Sequence, residues 1–247
     1  MKGLLTFIPD RPEVTLPLFA LGKGRGEVHV DNLTTTRNVA IVLDGVGPGD
    51  VSKVFLYGNS RSDEMREFLT DLDEPVEVFC DVELGDVVTE LYPEDVSFRT
   101  RTVFTFDRLS DEYRFSPVEG LRRLGATDLA AVKDLLPARS WAGFDSAKDM
   151  LMGGAVFGMV ENDELISVAF VTDFTSKYDT LSAFTAEPHR RGGNARLCSQ
   201  KLMAWTMDRG RFPRIEVGER NPAGLALAKG LGFPVTLRVT SYFLDIF

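Results

Sequence analysis

Adjacent glycines set among arginines, directly ahead of a helix-forming run, constrain this chain more than any other stretch. The segment reads Thr185-Ala186-Glu187-Pro188-His189-Arg190-Arg191-Gly192-Gly193-Asn194-Ala195-Arg196. Upstream, Tyr178 to Thr185 has the pattern of a strand. Downstream, Asn194 to Arg209 carries Ala195, Cys198, Leu202 and Trp205 at spacings of three and four, the buried stripe of a helix. A strand that feeds a glycine turn and then a helix aims several unpaired backbone N–H groups at one point. The helix N-terminus adds about half a positive charge there. Such a turn holds an anion, and phosphate is the expected one.

Arg190, Gly193, Ala195 and the apolar helix that follows satisfy Gln/Arg-x-x-Gly-x-Gly/Ala, and the segment resembles the acyl-coenzyme-A loop of the GNAT superfamily of N-acetyltransferases. A second stretch is similar to the family's Leu-Glu-Val-x-x-x-Asn followed by Leu-Gly-Phe: here Ile215-Glu216-Val217, Asn221 and Leu231-Gly232-Phe233. The expected element order over roughly 116–245 is also that of the family. A two-domain bacterial subset resembles the chain further, through Val30-Asp31-Asn32 and through a Thr-x-Glu-x-Tyr-Arg loop close to Thr185–Arg190, with His189 in the tyrosine's place.

The resemblance implies acetyl-coenzyme A as cosubstrate. It assigns Arg190, Arg191, Gly192, Gly193, Asn194, Ala195 and Arg196 to the pyrophosphate, and the backbone of Phe184 and Thr185 to the pantetheine arm, in a gap where two strands splay apart. It makes Glu216 the catalytic base, commonly through a water, and lets Asn221 reach the arm. For Glu216 a second reading stands, a carboxylate on the solvent side of a strand or one that only binds the acceptor's cation. For Asn221 the second reading is a helix cap, and for the arginines a solvated surface patch. Asp173, Glu219 and Glu187 are weaker acid–base candidates. The chain departs from the family at Ala228, where many members carry a tyrosine that protonates the leaving thiolate. Alanine cannot do so, which leaves Tyr178, Tyr242, water or no acid at all.

Chemistry outside this segment is sparse. A net charge of −9 argues against a general nucleic-acid or anionic-membrane binder. No apolar run approaches the ~18 residues of a membrane span, and the opening residues are too short and too soon broken by Pro9 for a secretory signal. Cys80 and Cys198 belong to no metal-like cluster, so no metal is expected and a reducing cytoplasm fits. Cys198 fits the helix stripe better than a nucleophile's place, and His189 a turn near phosphate better than a catalyst's. Gly22-Lys23-Gly24-Arg25-Gly26 precedes an alternating Glu27–Asp31, so a turn is expected rather than a phosphate loop, which needs a helix next.

The polar stretch Asp107–Pro117 is the best linker and divides the chain into domains 1–112 and 113–247. In the first, Val39–Leu43, Val54–Tyr57, Val76–Cys80 and Phe98–Phe106 read as strands. A helix capped by Ser60 or Ser62 and a short helix after Gly85 lie between them. In the second, a strand, two helices (the first capped by Thr127), a hairpin turning at Glu161–Glu164, the strand–loop–helix above, a strand, a helix started by Asn221-Pro222 and one or two final strands follow. The fold class is α/β (α+β). A C-terminal GNAT-like mixed, mainly antiparallel sheet flanked by helices is preceded by a smaller α/β domain, either a degenerate GNAT-like repeat or an unrelated α+β unit. The function expected is direct acetyl transfer from acetyl-coenzyme A to an amine of a small-molecule acceptor, without nucleic-acid or membrane partners, with a homodimer left open. The alternative is a non-catalytic acyl-coenzyme-A-binding or interaction module.

Overall fold

A computed structural model describes residues 8–32, 35–45, 50–58, 62–106, 117–141 and 143–246, with backbone alone at 138 and 139. The chain divides into two compact units, each discontinuous in sequence: 1–9, 20–101 and 238–247 form the first, 10–19 and 102–237 the second. The expected boundary at 112/113 and the polar linker up to 116 lie outside the described residues, as does Ser60.

Helix α1 (Thr15–Gly22) comes first, then strands β1 (Glu27–Val30), β2 (Val39–Leu43) and β3 (Ser52–Tyr57). β1 and β2 pair antiparallel with Glu27 opposite Val42, and β2 and β3 antiparallel with Val39 opposite Tyr57. Helix α2 (Asp63–Thr70) then crosses over to β4 (Val76–Phe79), which lies parallel to β3 with Ser52 opposite Val76. α2 begins where the Ser62 hydroxyl accepts the Met65 N–H at 3.2 Å, as a serine cap should. It buries Met65 and Leu69 against Leu56, Val78 and Leu84.

Helix α3 (Val82–Leu91) corrects one expectation. It starts three residues before Gly85, where Asp81 accepts the Leu84 N–H at 2.9 Å, so Gly85 sits inside the helix and does not precede it. Glycine is retained there because the Tyr242 ring and hydroxyl occupy the space a Cβ would need. β5 (Val96–Thr105) follows, contributing 96–101 to the first unit and 102–105 to the second. The chain's last strand returns to the first unit, where Ser241 and Leu244 face Phe79 and Val76 of β4 in antiparallel register.

In the second unit β6 (Leu121–Arg123) precedes helices α4 (Leu129–Leu135) and α5 (Ala147–Gly153). Thr127 does not cap α4: it lies inside a single turn, Ala126–Asp128, that precedes the helix, and Asp128 stands at the N-cap without a side-chain bond to it. The Asp128 carboxylate accepts the Gly125 N–H at 2.9 Å instead, and Arg122 pairs with the same carboxylate at 2.6 and 3.0 Å. Ser146 caps α5, its hydroxyl accepting the Asp149 N–H at 3.1 Å. β7 (Val156–Glu161) and β8 (Glu164–Phe174) form the hairpin, and Asn162 and Asp163 take positive φ at its turn as a tight two-residue connection requires. β9 (Tyr178–Thr185), α6 (Asn194–Asp208), β10 (Phe212–Gly218), α7 (Pro222–Gly230) and β11 (Val235–Leu244) complete the chain.

The second unit's strand order is β5-β10-β9-β8-β7-β6. Every pair from β6 to β9 is antiparallel and β9/β10 is parallel, which is the mixed, mainly antiparallel sheet expected. Helix α6 covers one face through Cys198, Leu202 and Met203, packed with Phe104, Ile166, Leu181, Ile215 and Val217. Phe19, Phe144, Met150, Val168 and Phe170 form a separate buried cluster with α4. Each large apolar side chain so buried contributes roughly 1.5–3 kcal/mol. The α6 stripe is displaced from the expected one: Ala195 and Trp205 are half-buried, while Met203 and Thr206 are buried. Thr206 belongs inside because its hydroxyl donates to the buried Asp179 carboxylate at 3.0 Å. The element order β2-β3-α2-β4-α3-β5 in the first unit matches β8-β9-α6-β10-α7-β11, with the strand pair flanking α2, like that flanking α6, parallel. No described helix is long and apolar enough to cross a membrane.

Candidate active site

β9 and β10 pair for only part of their length. The parallel register holds for Tyr178, Asp179 and Thr180 against Phe212, Pro213 and Arg214, and stops there. Leu181–Thr185 and Ile215–Gly218 continue as strands without facing one another. Two parallel strands that part leave a gap edged by main-chain polar groups that the ladder no longer pairs across it.

The turn after β9 is built in steps. Ala186 donates its N–H to Ile166 at 2.9 Å, which keeps the strand's end on β8, and a single turn over Glu187–His189 follows. Arg190 folds back, its Nε donating to the Thr185 carbonyl at 3.2 Å, and so braces the loop instead of pointing away from it. Arg191 then takes φ +65°, a left-handed conformation that costs a non-glycine residue about 1 kcal/mol. Gly193 takes φ +86° at the N-cap of α6, where no side chain caps the helix. A Cβ there would meet nothing within 4 Å, so backbone conformation and not crowding selects glycine. The N–H groups of the first turn have no intrahelical acceptor. Gly192, Gly193 and Arg196 are exposed, and Asn194 and Ala195 half-buried. A left-handed residue beside an uncapped helix start is the backbone arrangement that favours an anion.

Phe184 and Thr185 are half-buried. The Phe184 carbonyl accepts the buried Ser167 hydroxyl at 3.2 Å, and the Ser167 and Thr185 hydroxyls meet at 2.7 Å.

Glu216 lies on β10, two residues beyond Arg214, so both side chains leave the same face of the strand. Its carboxylate is ion-paired with Arg214 and its side chain is 28% exposed, against 2% for Arg214. The buried guanidinium also donates from Nη1 to the hydroxyls of Thr15 and Thr180, at 2.7 Å each. Asp173, 3.9 Å from the same Nη1, accepts from Thr180 at 2.7 Å and from Thr172 at 2.8 Å. The Arg214 guanidinium therefore lies between the carboxylates of Glu216 and Asp173 in this network.

The remaining candidates separate cleanly. Asn221 caps α7, its side-chain oxygen accepting the Gly224 N–H at 2.9 Å. Ala228 is fully buried in the core with Val217 and Leu231, so the position carries no proton donor. Tyr178 sits at the paired end of β9, with its ring centroid 5.9 Å from Phe212. Tyr242 belongs to the first unit, where burial pushes its hydroxyl above the usual tyrosine range. Glu187 and Glu219 are exposed, and His189 lies 3.7 Å from Glu161. Burial pushes the Cys198 thiol up to about 11 and the Cys80 thiol to about 12, so neither is a ready nucleophile. Gly22–Gly26 leads into β1 through a turn with Gly24 and Gly26 at positive φ, not into a helix. Among the described residues no cluster of three or more His, Cys, Asp or Glu could hold a metal ion.

Sequence reasoning missed Arg214, Thr15 and Asp173 as parts of one network. A signal existed for Arg214: in Arg214-Ile215-Glu216-Val217 the two charged residues alternate with core residues and must share a face. For Thr15 the signal was a single hydroxyl in an otherwise apolar eight-residue helix.

A family profile described as GNAT acetyltransferase matches residues 10–242, so it reaches across both units. No curated protein matches the chain. A GCN5-related N-acetyltransferase-like protein from Streptococcus suis has a similar structure, with a TM-score of 0.71 at 16% identity over 99% of this chain and 98% of that one. A GNAT-family acetyltransferase from Colwellia psychrerythraea gives 0.64 at 12% identity over 93% and 89%. A tandem GNAT protein from the clavulanic acid biosynthesis pathway gives 0.61 at 13% identity over 92% and 86%. These likenesses carry the fold; the profile, spanning nearly all of a chain whose β9 and β10 part beside an uncapped helix, carries the family, and the chain belongs to the GNAT acetyltransferases.

Proposed function

We propose that the protein transfers an acetyl group from acetyl-coenzyme A to an amine of a small-molecule acceptor by direct attack. The observation that carries this is the early end of β9/β10 pairing at Thr180 and Arg214, next to a loop whose backbone is already bent for an anion. The amides of Arg191 to Arg196 hold the diphosphate, with Arg190 bracing the turn from behind. The pantetheine arm lies in the gap along Phe184 and Thr185, near Asn221, and its thioester ends toward the point where the strands meet. Held so, the thioester and the amine react as neighbours, which removes much of the entropic cost of their encounter. A primary amine is mostly protonated at neutral pH, and Glu216 accepts the proton it must lose, directly or through water. The thiolate of coenzyme A leaves without a tyrosine acid, because Ala228 is walled into the core.

The first unit is read as a degenerate copy of the second. Its order of elements and its parallel pair around α2 support this, as does the span of the family profile. The grouping is not strictly by halves of the sequence, since 102–105 of β5 belongs with the second unit and 238–244 of β11 with the first. The sequence between β3 and α2 lacks the Arg-x-x-Gly-x-Ala pattern, so only the second unit is assigned a coenzyme.

A second reading, a coenzyme-A-binding module without turnover, is favoured by two observations: Ala228 removes the usual acid, and Glu216 is committed to an ion pair with Arg214. Mass spectrometry of an amine panel incubated with acetyl-coenzyme A separates the two. Acetylated product supports the enzyme, whereas tight coenzyme binding with no product from a broad panel supports the module.

A further inference from the structure

We propose that Arg214 and Thr15 are positioning residues for Glu216, which makes the segment 10–19 a working part of the acyl-transfer site in the second unit. The inference rests on the reading of Glu216 as the base, but the placement of its carboxylate can be tested without turnover.

Burying a guanidinium is costly unless its donors are matched, and an apolar side chain of similar volume would often serve stability as well. Arg214 is nevertheless kept at 2% exposure, at the last register position before β9 and β10 part. Among the described residues its hydrogen bonds run from Nη1 and Nη2, and Nε makes none. What the arrangement does achieve is a fixed plane. Nη1 is held by the Thr15 and Thr180 hydroxyls, which themselves lie 3.2 Å apart, and Nη2 is left to meet Glu216. A rigid planar fork pinned at one end presents a defined direction at the other. A carboxylate gripped that way loses its rotamer freedom before any acceptor arrives, which is how a surrounding shell preorganises a reacting group.

Thr15 is an unusual choice where it stands. It is fully buried and is the single polar residue of α1, Thr-Leu-Pro-Leu-Phe-Ala-Leu-Gly. The segment that carries it is tied down at both ends. Asp10 accepts from the Thr175 hydroxyl at 2.7 Å, the Ser176 hydroxyl at 2.8 Å and the Lys177 N–H at 3.2 Å. Phe19 packs its ring against Phe174 and Phe144, with centroids 4.7 and 5.2 Å away. A segment that only filled space would need Phe19 but not a buried hydroxyl aimed at the guanidinium.

The test compares Thr15→Val, Arg214→Lys and Arg214→Met with the wild type and Glu216→Gln. Thr15→Val, which keeps the shape and removes the hydroxyl, is expected to lower kcat about tenfold while leaving the KM for acetyl-coenzyme A in place. Arg214→Met should fall as far as Glu216→Gln, and Arg214→Lys should recover part of the loss. In parallel, the carbon-13 carboxyl resonance of Glu216, assigned by its absence in Glu216→Gln, should move in both Thr15→Val and Arg214→Met. An unmoved resonance in both variants overturns the proposal, as does unchanged kcat in both. If Arg214→Met does not fold, Thr15→Val decides alone. If the wild type acetylates no amine, the resonance still decides the positioning, and it is the reading of Glu216 as a base that is lost.

Discussion

Thr180 and Arg214 are the last facing pair of the parallel β9/β10 ladder, and their side chains meet at 2.7 Å just where the strands part. Beyond them Glu216 and Thr185 lie on strands that no longer face one another, and α6 begins without a cap. The acetyl-transfer reading depends on this sequence of events along two strands and one turn.

Replacing Glu216 with glutamine keeps the side chain's shape and an acceptor for Arg214 while removing its capacity to take a proton. Turnover on an accepted amine should fall about 10²-fold or more, with the dissociation constant for coenzyme A changed less than about twofold. Steady-state kinetics and calorimetry read the two quantities separately. Full turnover in Glu216→Gln would assign proton removal to another group.

Ala228→Tyr restores the residue type common in the family but puts it into a fully buried position beside Val217 and Leu231. Overpacking of this kind costs typically 1–3 kcal/mol. The variant should lose stability in urea and gain no turnover. A stable, faster Ala228→Tyr would mean that the position reaches the gap.

The two thiols are expected to be unreactive in the folded protein. Cys198 is pushed to about 11 and Cys80 to about 12 by burial, from an ordinary value of 9.0. Iodoacetamide at neutral pH should alkylate them only after unfolding, and Cys198→Ala should retain coenzyme binding. The sign of the linkage follows from the raised folded values. The stability gained by keeping the thiols neutral is whole below pH 9 and is lost as pH rises toward 11–12. Each thiol then removes about 1.4 kcal/mol per pH unit in that window. Urea midpoints at successive pH values check the direction.

Asn221→Ala removes the cap of α7, and stability should drop by about 1 kcal/mol. If the side chain does nothing else, coenzyme affinity will follow stability and fall no further.

Much of this was legible in the sequence for definite reasons. Gly192-Gly193 announced a turn ahead of a helix, Asn221-Pro222 a helix start, and Glu161–Glu164 a hairpin turn; local chemistry decides each of these. Gly85 misled because a glycine reads as a break. Its reason for being there, the Tyr242 ring, comes from a strand more than a hundred residues away in the chain. Thr127 misled because a hydroxyl is a good cap, whereas here the chain makes a single turn over Ala126–Asp128 first and the helix starts one residue later, with Asp128 engaged by Gly125 and Arg122. The buried network was hidden for a related reason. Thr15, Thr180 and Arg214 are distant in sequence, and a buried polar group shows its purpose only when its partners are known.

Calorimetric titration of coenzyme A into Gly193→Glu, with Gly193→Asn as companion, bears on the whole reading. Asparagine tolerates the left-handed backbone at φ +86° and adds no charge, so it separates strain from repulsion. A glutamate there sets a negative charge against the diphosphate at the helix start. The glutamate variant should bind coenzyme A about tenfold or more weakly, and the asparagine variant close to wild type. Wild-type affinity in Gly193→Glu, in a protein that remains folded, would show that the start of α6 does not hold the diphosphate.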